Sequence, residues 1–136
     1  MARRSFAFVE EFGARPEEVA RSTDVVIVYV LEELTFEIEL DWREGAAFVL
    51  VCRTIDSARP AGYSMHGGVR VRRQLPDAMS AAGLDGEEAM QRLREVMKAS
   101  GPDAMAAQLG VYGDLLEGCV DILLSKARVI YPEDRV

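Results

Sequence analysis

Between Leu34 and Thr54 the chain passes from strict apolar–polar alternation to an unbroken apolar run, and that change marks a β-hairpin. Leu34, Phe36, Ile38 and Leu40 alternate with Thr35, Glu37, Glu39 and Asp41, the period-2 pattern of a strand with one buried face. Ala46 to Cys52 is apolar throughout, which predicts a central strand covered on both sides, or one with an apolar face left for a partner. Arg43-Glu44-Gly45 fits a three-residue hairpin loop with Gly in the left-handed position. That loop pairs Trp42 with Ala46, Leu40 with Phe48, Ile38 with Leu50 and Phe36 with Cys52 on a core face. The opposite face then sets Glu39 against Val49, Glu37 against Val51 and Thr35 against Arg53.

Other patterns extend this picture in both directions. Phe6, Phe8, Val9 and Phe12 predict a short helix closed by Gly13. Pro16-Glu17-Glu18 predicts a second helical turn, with Pro at the first position and acids at the positive end of the dipole. Val25–Leu31 is dense in β-branched residues and reads as a strand, a helix capped by Ser22 or Thr23 being the alternative. Glu32-Glu33 is poor chemistry for a tight turn, which predicts a bulge or a continuous bent strand there. Residues 55–62 read as a loop. Beyond it, Gly62–Met65 and Val69–Leu75 form a second hairpin around His66-Gly67-Gly68, with Tyr63 and Met65 opposite Val71 and Val69.

From Pro76 onward the spacing is helical. A short turn over Pro76–Ala82 ends at Gly83, and Asp85 caps a helix from Gly86 to Ala99. The last helix runs from about Asp103 to Ile130, with an apolar band broad enough to imply burial on more than one side. Gly110, Gly113 and Gly118 each weaken it by about 1 kcal/mol relative to Ala, and mark either close approach or a kink near Gly110–Gly113. The expected fold is one α+β domain over residues 1–136: an antiparallel sheet of four to five strands, a short N-terminal helix, and C-terminal helices packed on one sheet face. The last helix is expected to cover Phe36, Ile38, Leu40, Phe48 and Leu50.

Composition narrows function more than fold. Lys and Arg number 16 against 23 Asp and Glu, a formal charge of −7, which opposes nucleic-acid binding and suits a basic protein partner. The absence of Asn and the presence of only two lysines, Lys98 and Lys126, fit a GC-rich bacterial genome. Cys52 and Cys119 lie in apolar elements without a CxxC, as buried free thiols of a cytoplasmic protein do. The opening MARRSFAFVEEF has an apolar run that Glu10 and Glu11 cut after Val9, too short for a signal peptide or a membrane span. Cytoplasmic location without membrane contact is the expectation.

Candidate chemistry is sparse. His66, the only histidine, sits beside a Gly-Gly pair where a hairpin turn accounts for it. Glu37, Glu39 and Asp41 share one strand face at about 7 Å spacing, which is wide for ligands of one ion. Gly67-Gly68 before Arg70, Arg72 and Arg73 lacks the Lys-Ser/Thr ending of a phosphate loop. No catalytic residue, metal or cofactor is therefore expected. Helix, strand meander, then helices, at small size and acidic charge, resembles bacterial secretion chaperones and toxin-neutralising immunity proteins, a likeness of fold and charge alone. It implies a non-catalytic protein-binding module acting on a basic partner. The candidate surface is Glu37, Glu39, Val49, Val51 and Arg53, with Arg70 and Arg72 nearby. One competing expectation is a small enzyme or small-molecule binder at the Met65–Gly68 turn, using Tyr63, His66 and Arg70. The other is a homodimer that buries Val49 and Val51 or the last helix.

Overall fold

The β-branched run does form a strand. In a computed structural model that describes residues 2–20, 24–60, 65–66, 69–99 and 103–132, β2 (Asp24–Val30) pairs antiparallel with β3 (Leu34–Asp41). The Glu32-Glu33 connection is a tight turn after all, with Leu31 N donating to Leu34 O at 3.0 Å. Thr54 supplies what those residues lack: its N–H donates to Glu33 O at 3.0 Å, and its hydroxyl donates to Leu31 O at 2.9 Å. With that proton committed, the Thr35 hydroxyl must be the donor in its 2.9 Å bond to Thr54 Oγ1.

Upstream, β1 (Pro16–Ala20) is an edge strand on β2, where the sequence predicted a helical turn. Local helix-start chemistry there amounts to a few tenths of a kcal/mol per residue. Pairing from Pro16↔Tyr29 to Ala20↔Val25 satisfies a β2 edge that would otherwise leave backbone groups unmet beside buried residues. Pro is tolerated at the first position of an edge strand.

The main correction concerns the tip of the hairpin formed by β3 and β4 (Ala46–Arg53). Asp41↔Ala46 is the last pair, so four residues make the loop, one more than predicted. Asp41 Oδ1 accepts the N–H groups of Arg43 and Glu44, both at 3.1 Å, and Gly45 takes the left-handed conformation at φ 64°. One extra loop residue slips the register by one and turns β4 over. Phe36 pairs with Val51, Ile38 with Val49 and Leu40 with Ala47 on one face; Glu37 pairs with Leu50, Glu39 with Phe48 and Thr35 with Cys52 on the other.

A two-residue turn follows, with Asp56 and Ser57 both at positive φ and Ile55 and Ala58 exchanging backbone hydrogen bonds. The short strands β5 (Met65–His66) and β6 (Val69–Arg70) pair as Met65↔Arg70 and His66↔Val69, again one residue from the predicted register; Tyr63 lies outside the described residues. Then β7 (Arg72–Gln74) adds to β4 and completes the sheet order β1-β2-β3-β4-β7.

The helices follow the sequence more closely. A four-residue α1 (Ala2–Ser5) leads into a 3-10 segment (Ala7–Phe12) that Gly13 closes at φ 99°. Next comes α2 (Leu75–Ala81), then α3 (Gly86–Met97), where Asp85 Oδ1 accepts Glu88 N at 3.0 Å as the predicted cap. The last predicted helix is α4 (Ala104–Ser125), interrupted at Lys126 before α5 (Ala127–Ile130). Of the two roles offered for its glycines, close approach holds at Gly113, where a Cβ would lie 2.9 Å from Ser5 O.

The core lies between α4 and the sheet face carrying Phe36, Ile38, Leu40, Ala47, Val49 and Val51. Each large side chain fully buried there contributes about 1.5–3 kcal/mol. Phe48 and Leu50, expected in that core, are on the reverse face. One polar side chain of α4 is buried with it: Gln108 Oε1 accepts Ala47 N at 2.8 Å, and its Nε2 donates to Gly45 O at 3.3 Å. Tyr131 OH donates to Val51 O at 2.5 Å, fastening the chain after α5 to the sheet. Among the described residues, no helix is long and apolar enough to cross a membrane.

Candidate functional site

The register slip disperses the surface expected from sequence. Val49 and Val51 are fully buried beneath α4, so they share no face with Glu37 and Glu39 and offer nothing to a partner. Glu37 is buried too, at 1% exposure, on the opposite face of the sheet. There its carboxylate accepts Arg72 Nε at 2.8 Å and Arg72 Nη2 at 3.0 Å, a bidentate grip, and Arg59 Nε at 2.6 Å. Arg72, 7% exposed, also donates to Pro60 O at 2.8 Å. The cluster thus ties the segment after the Ile55–Ala58 turn onto β3 and β7.

This cluster has structural chemistry. Burial alone would raise the Glu37 pKa, but the hydrogen bonds and charge of Arg72, followed by those of Arg59, outweigh it and hold the carboxyl below its ordinary range. A carboxylate so held and so occupied is a poor general base at neutral pH. Cys52, on the same face, is pushed far up by burial and then by the Glu37 carboxylate, which removes it as a nucleophile. Cys119, raised by burial and the Asp121 charge to about 11, is equally unreactive. No group of three His, Cys, Asp or Glu side chains among the described residues is arranged to hold a metal ion.

The remaining expected residues go to separate places. Glu39 is half-buried opposite Phe48. Arg70 is exposed and pairs with Asp77 at 2.9 Å. Arg53, half-buried, lies at the far end of the sheet in a cleft of about 240 Å³ with Glu32, Glu33, Thr54, Arg128 and Tyr131. For the alternative site, only the backbone of His66 and Arg70 is brought together, through neighbouring pairs of the short hairpin; Tyr63 falls outside the described residues.

Sequence reading missed the helical layer. Residues 75–125, which contain α2, α3 and α4, hold nine acidic side chains against Arg92, Arg94 and Lys98, so −6 of the chain's −7 resides there. Between α3 and α4 runs a groove of about 290 Å³. Asp85, Glu88 and Arg92 line one wall and Asp114 the other, over a floor that includes Leu84, Leu115 and Gly118. Neither Glu88 nor Asp114 forms an ion pair among the described residues. A charge count by segment, in place of one over the whole chain, was the available signal. Compared with protein-family models, curated proteins and solved structures, the chain matches none.

Proposed function

We propose that this chain is a non-catalytic protein-binding module that engages a basic protein through its acidic helical layer. The observation that carries the reading is the segregation of charge: −6 of the net −7 belongs to residues 75–125, the helices and their caps, while on the sheet Glu37 is consumed by Arg72 and Arg59. A predominantly negative face raises encounter rates with an oppositely charged partner and disfavours like-charged ones. Solvent-facing Met90 and Met97 on α3 add apolar contact area within that layer. The partner is neutralised or escorted in a bacterial cytoplasm, as an immunity-like or chaperone-like protein would do.

Affinity capture from the native cell tests this with two charge-matched variants. Glu88→Lys/Asp114→Lys reverses charge on the helical layer; Glu17→Lys/Glu18→Lys does so on the β1 edge. The expected result is capture of a protein of basic isoelectric point by the wild type and the edge variant, lost with the helical variant and in high salt. Equal capture by all three, or equal loss in both variants, refutes the assignment of the surface.

A further inference from the structure

Resting on that reading, we infer that the groove between α3 and α4 receives a single basic amphipathic helix of the partner, seated over Gly118. Three observations converge on this occupant. The first is the nature of the walls. Both are helices whose backbone groups, beyond the first turn of α3, are bonded within the helix, so most of the groove's length offers no free N–H or C=O to an incoming chain. An extended segment would leave its own inward backbone groups without partners there; a helix arrives with its own satisfied.

The second is the spacing. Asp85, Glu88, Ala89 and Arg92 form one i, i+3, i+4, i+7 stripe on the α3 side, facing Asp114, Leu115, Gly118 and Cys119 from α4. Ridges of a third helix fit a groove bounded by two such stripes. Its apolar side chains would meet Leu84 and Leu115, while Lys or Arg on its flanks would reach Glu88 and Asp114, which have no ion pair of their own among the described residues. At about 290 Å³ the groove is at the lower bound of pockets for free small molecules, roughly 300–1,000 Å³. A few anchoring side chains fill it.

The third is Gly118 itself. A Cβ there would meet nothing within 4 Å and the residue is not at positive φ, so neither packing nor backbone conformation in this fold calls for glycine. Gly113 on the same helix is held by the approach of Ser5; Gly110 is as unconstrained as Gly118, and of the two only Gly118 lines the groove. A glycine that the chain's own fold does not require, on the floor of a charged groove, permits close approach by something from outside.

The test uses fluorescence anisotropy with the full chain and two labelled probes. One is an amphipathic Leu/Lys peptide of about 18 residues, long enough to be helical. The other has the same composition with two central prolines, which break the helix. The wild type should bind the helical probe at least about tenfold more tightly than the proline probe. Gly118→Leu, which fills the groove from within, should weaken the helical probe at least about tenfold without lowering the melting temperature. Equal binding of the two probes, no binding by the wild type, or undiminished binding by Gly118→Leu overturns the inference. If Glu88→Lys/Asp114→Lys weakens both probes alike while Gly118→Leu weakens neither, the acidic layer is the docking face and the seated helix is wrong. If charge reversal weakens neither probe, the acidic-layer reading falls with it.

Discussion

Replacing Glu37 by Gln removes one charge and almost no volume, and the geometry fixes what that should cost. The carboxylate receives three charge-assisted hydrogen bonds, two from Arg72 and one from Arg59. Arg72 is 7% exposed and fastened to Pro60 O, so its guanidinium cannot reach water without moving the chain; a buried charge stranded in this way costs about 3–5 kcal/mol. Arg59 is 26% exposed and can turn outward, so its share is below about 1 kcal/mol. Glu37→Gln should therefore lose about 3–4 kcal/mol in urea unfolding at neutral pH, with a melting temperature lower by about 10 °C. Arg59→Gln should lose only about 1 kcal/mol. Glu37→Met/Arg72→Met, which removes both charges together, should be more stable than Glu37→Gln. The pH dependence has a definite sign. Because the native carboxyl is held below its ordinary value of 4.5, its stabilisation is complete above that value and disappears as pH falls through the depressed native one. The gap between wild type and Glu37→Gln should be flat at neutral pH and close in acid. A loss under about 1 kcal/mol for Glu37→Gln, or a gap that widens in acid, would refute the account of the cluster.

Gly118→Ala should stabilise the protein by about 0.5–1 kcal/mol, since its Cβ meets open space, whereas Gly113→Ala should destabilise it through the 2.9 Å approach to Ser5 O; thermal melts of the two variants should move in opposite directions. Gln108→Leu leaves Ala47 N and Gly45 O without their side-chain partner and should cost about 1–3 kcal/mol, with faster amide exchange confined at first to the β3–β4 tip.

What the sequence disclosed follows the range of the forces involved. Asp85 and Gly83 act within a few residues of their own position, and the helix they delimit starts at the expected residue. Pro16-Glu17-Glu18 also acts locally, but there a long-range pairing with β2 prevailed. The hairpin tip shows a finer limit. Gly45 suits loops of three or four residues, and β4 is apolar on both faces, so its pattern could not select a register. The side-chain bonds from Asp41 did, and with them went the grouping of Val49 and Val51 with Glu37. Arg59, in a stretch with no periodicity, gave no sign that it would be drawn to a carboxylate 22 positions earlier. The acidic row on β3 was visible; the neutralisation of Glu37 within it was not.

Gly113 also bears on the order in which the chain can fold during synthesis. The backbone of Ser5 rests against it, so the N-terminal turn has no seat until α4 has left the ribosome. Phe6 and Val9, buried in the finished protein, must remain exposed to water or to a chaperone throughout that interval. Residues made before the whole sheet are thus placed only once α4 follows, and a slow or paused ribosome lengthens the time for which this apolar turn is open to aggregation.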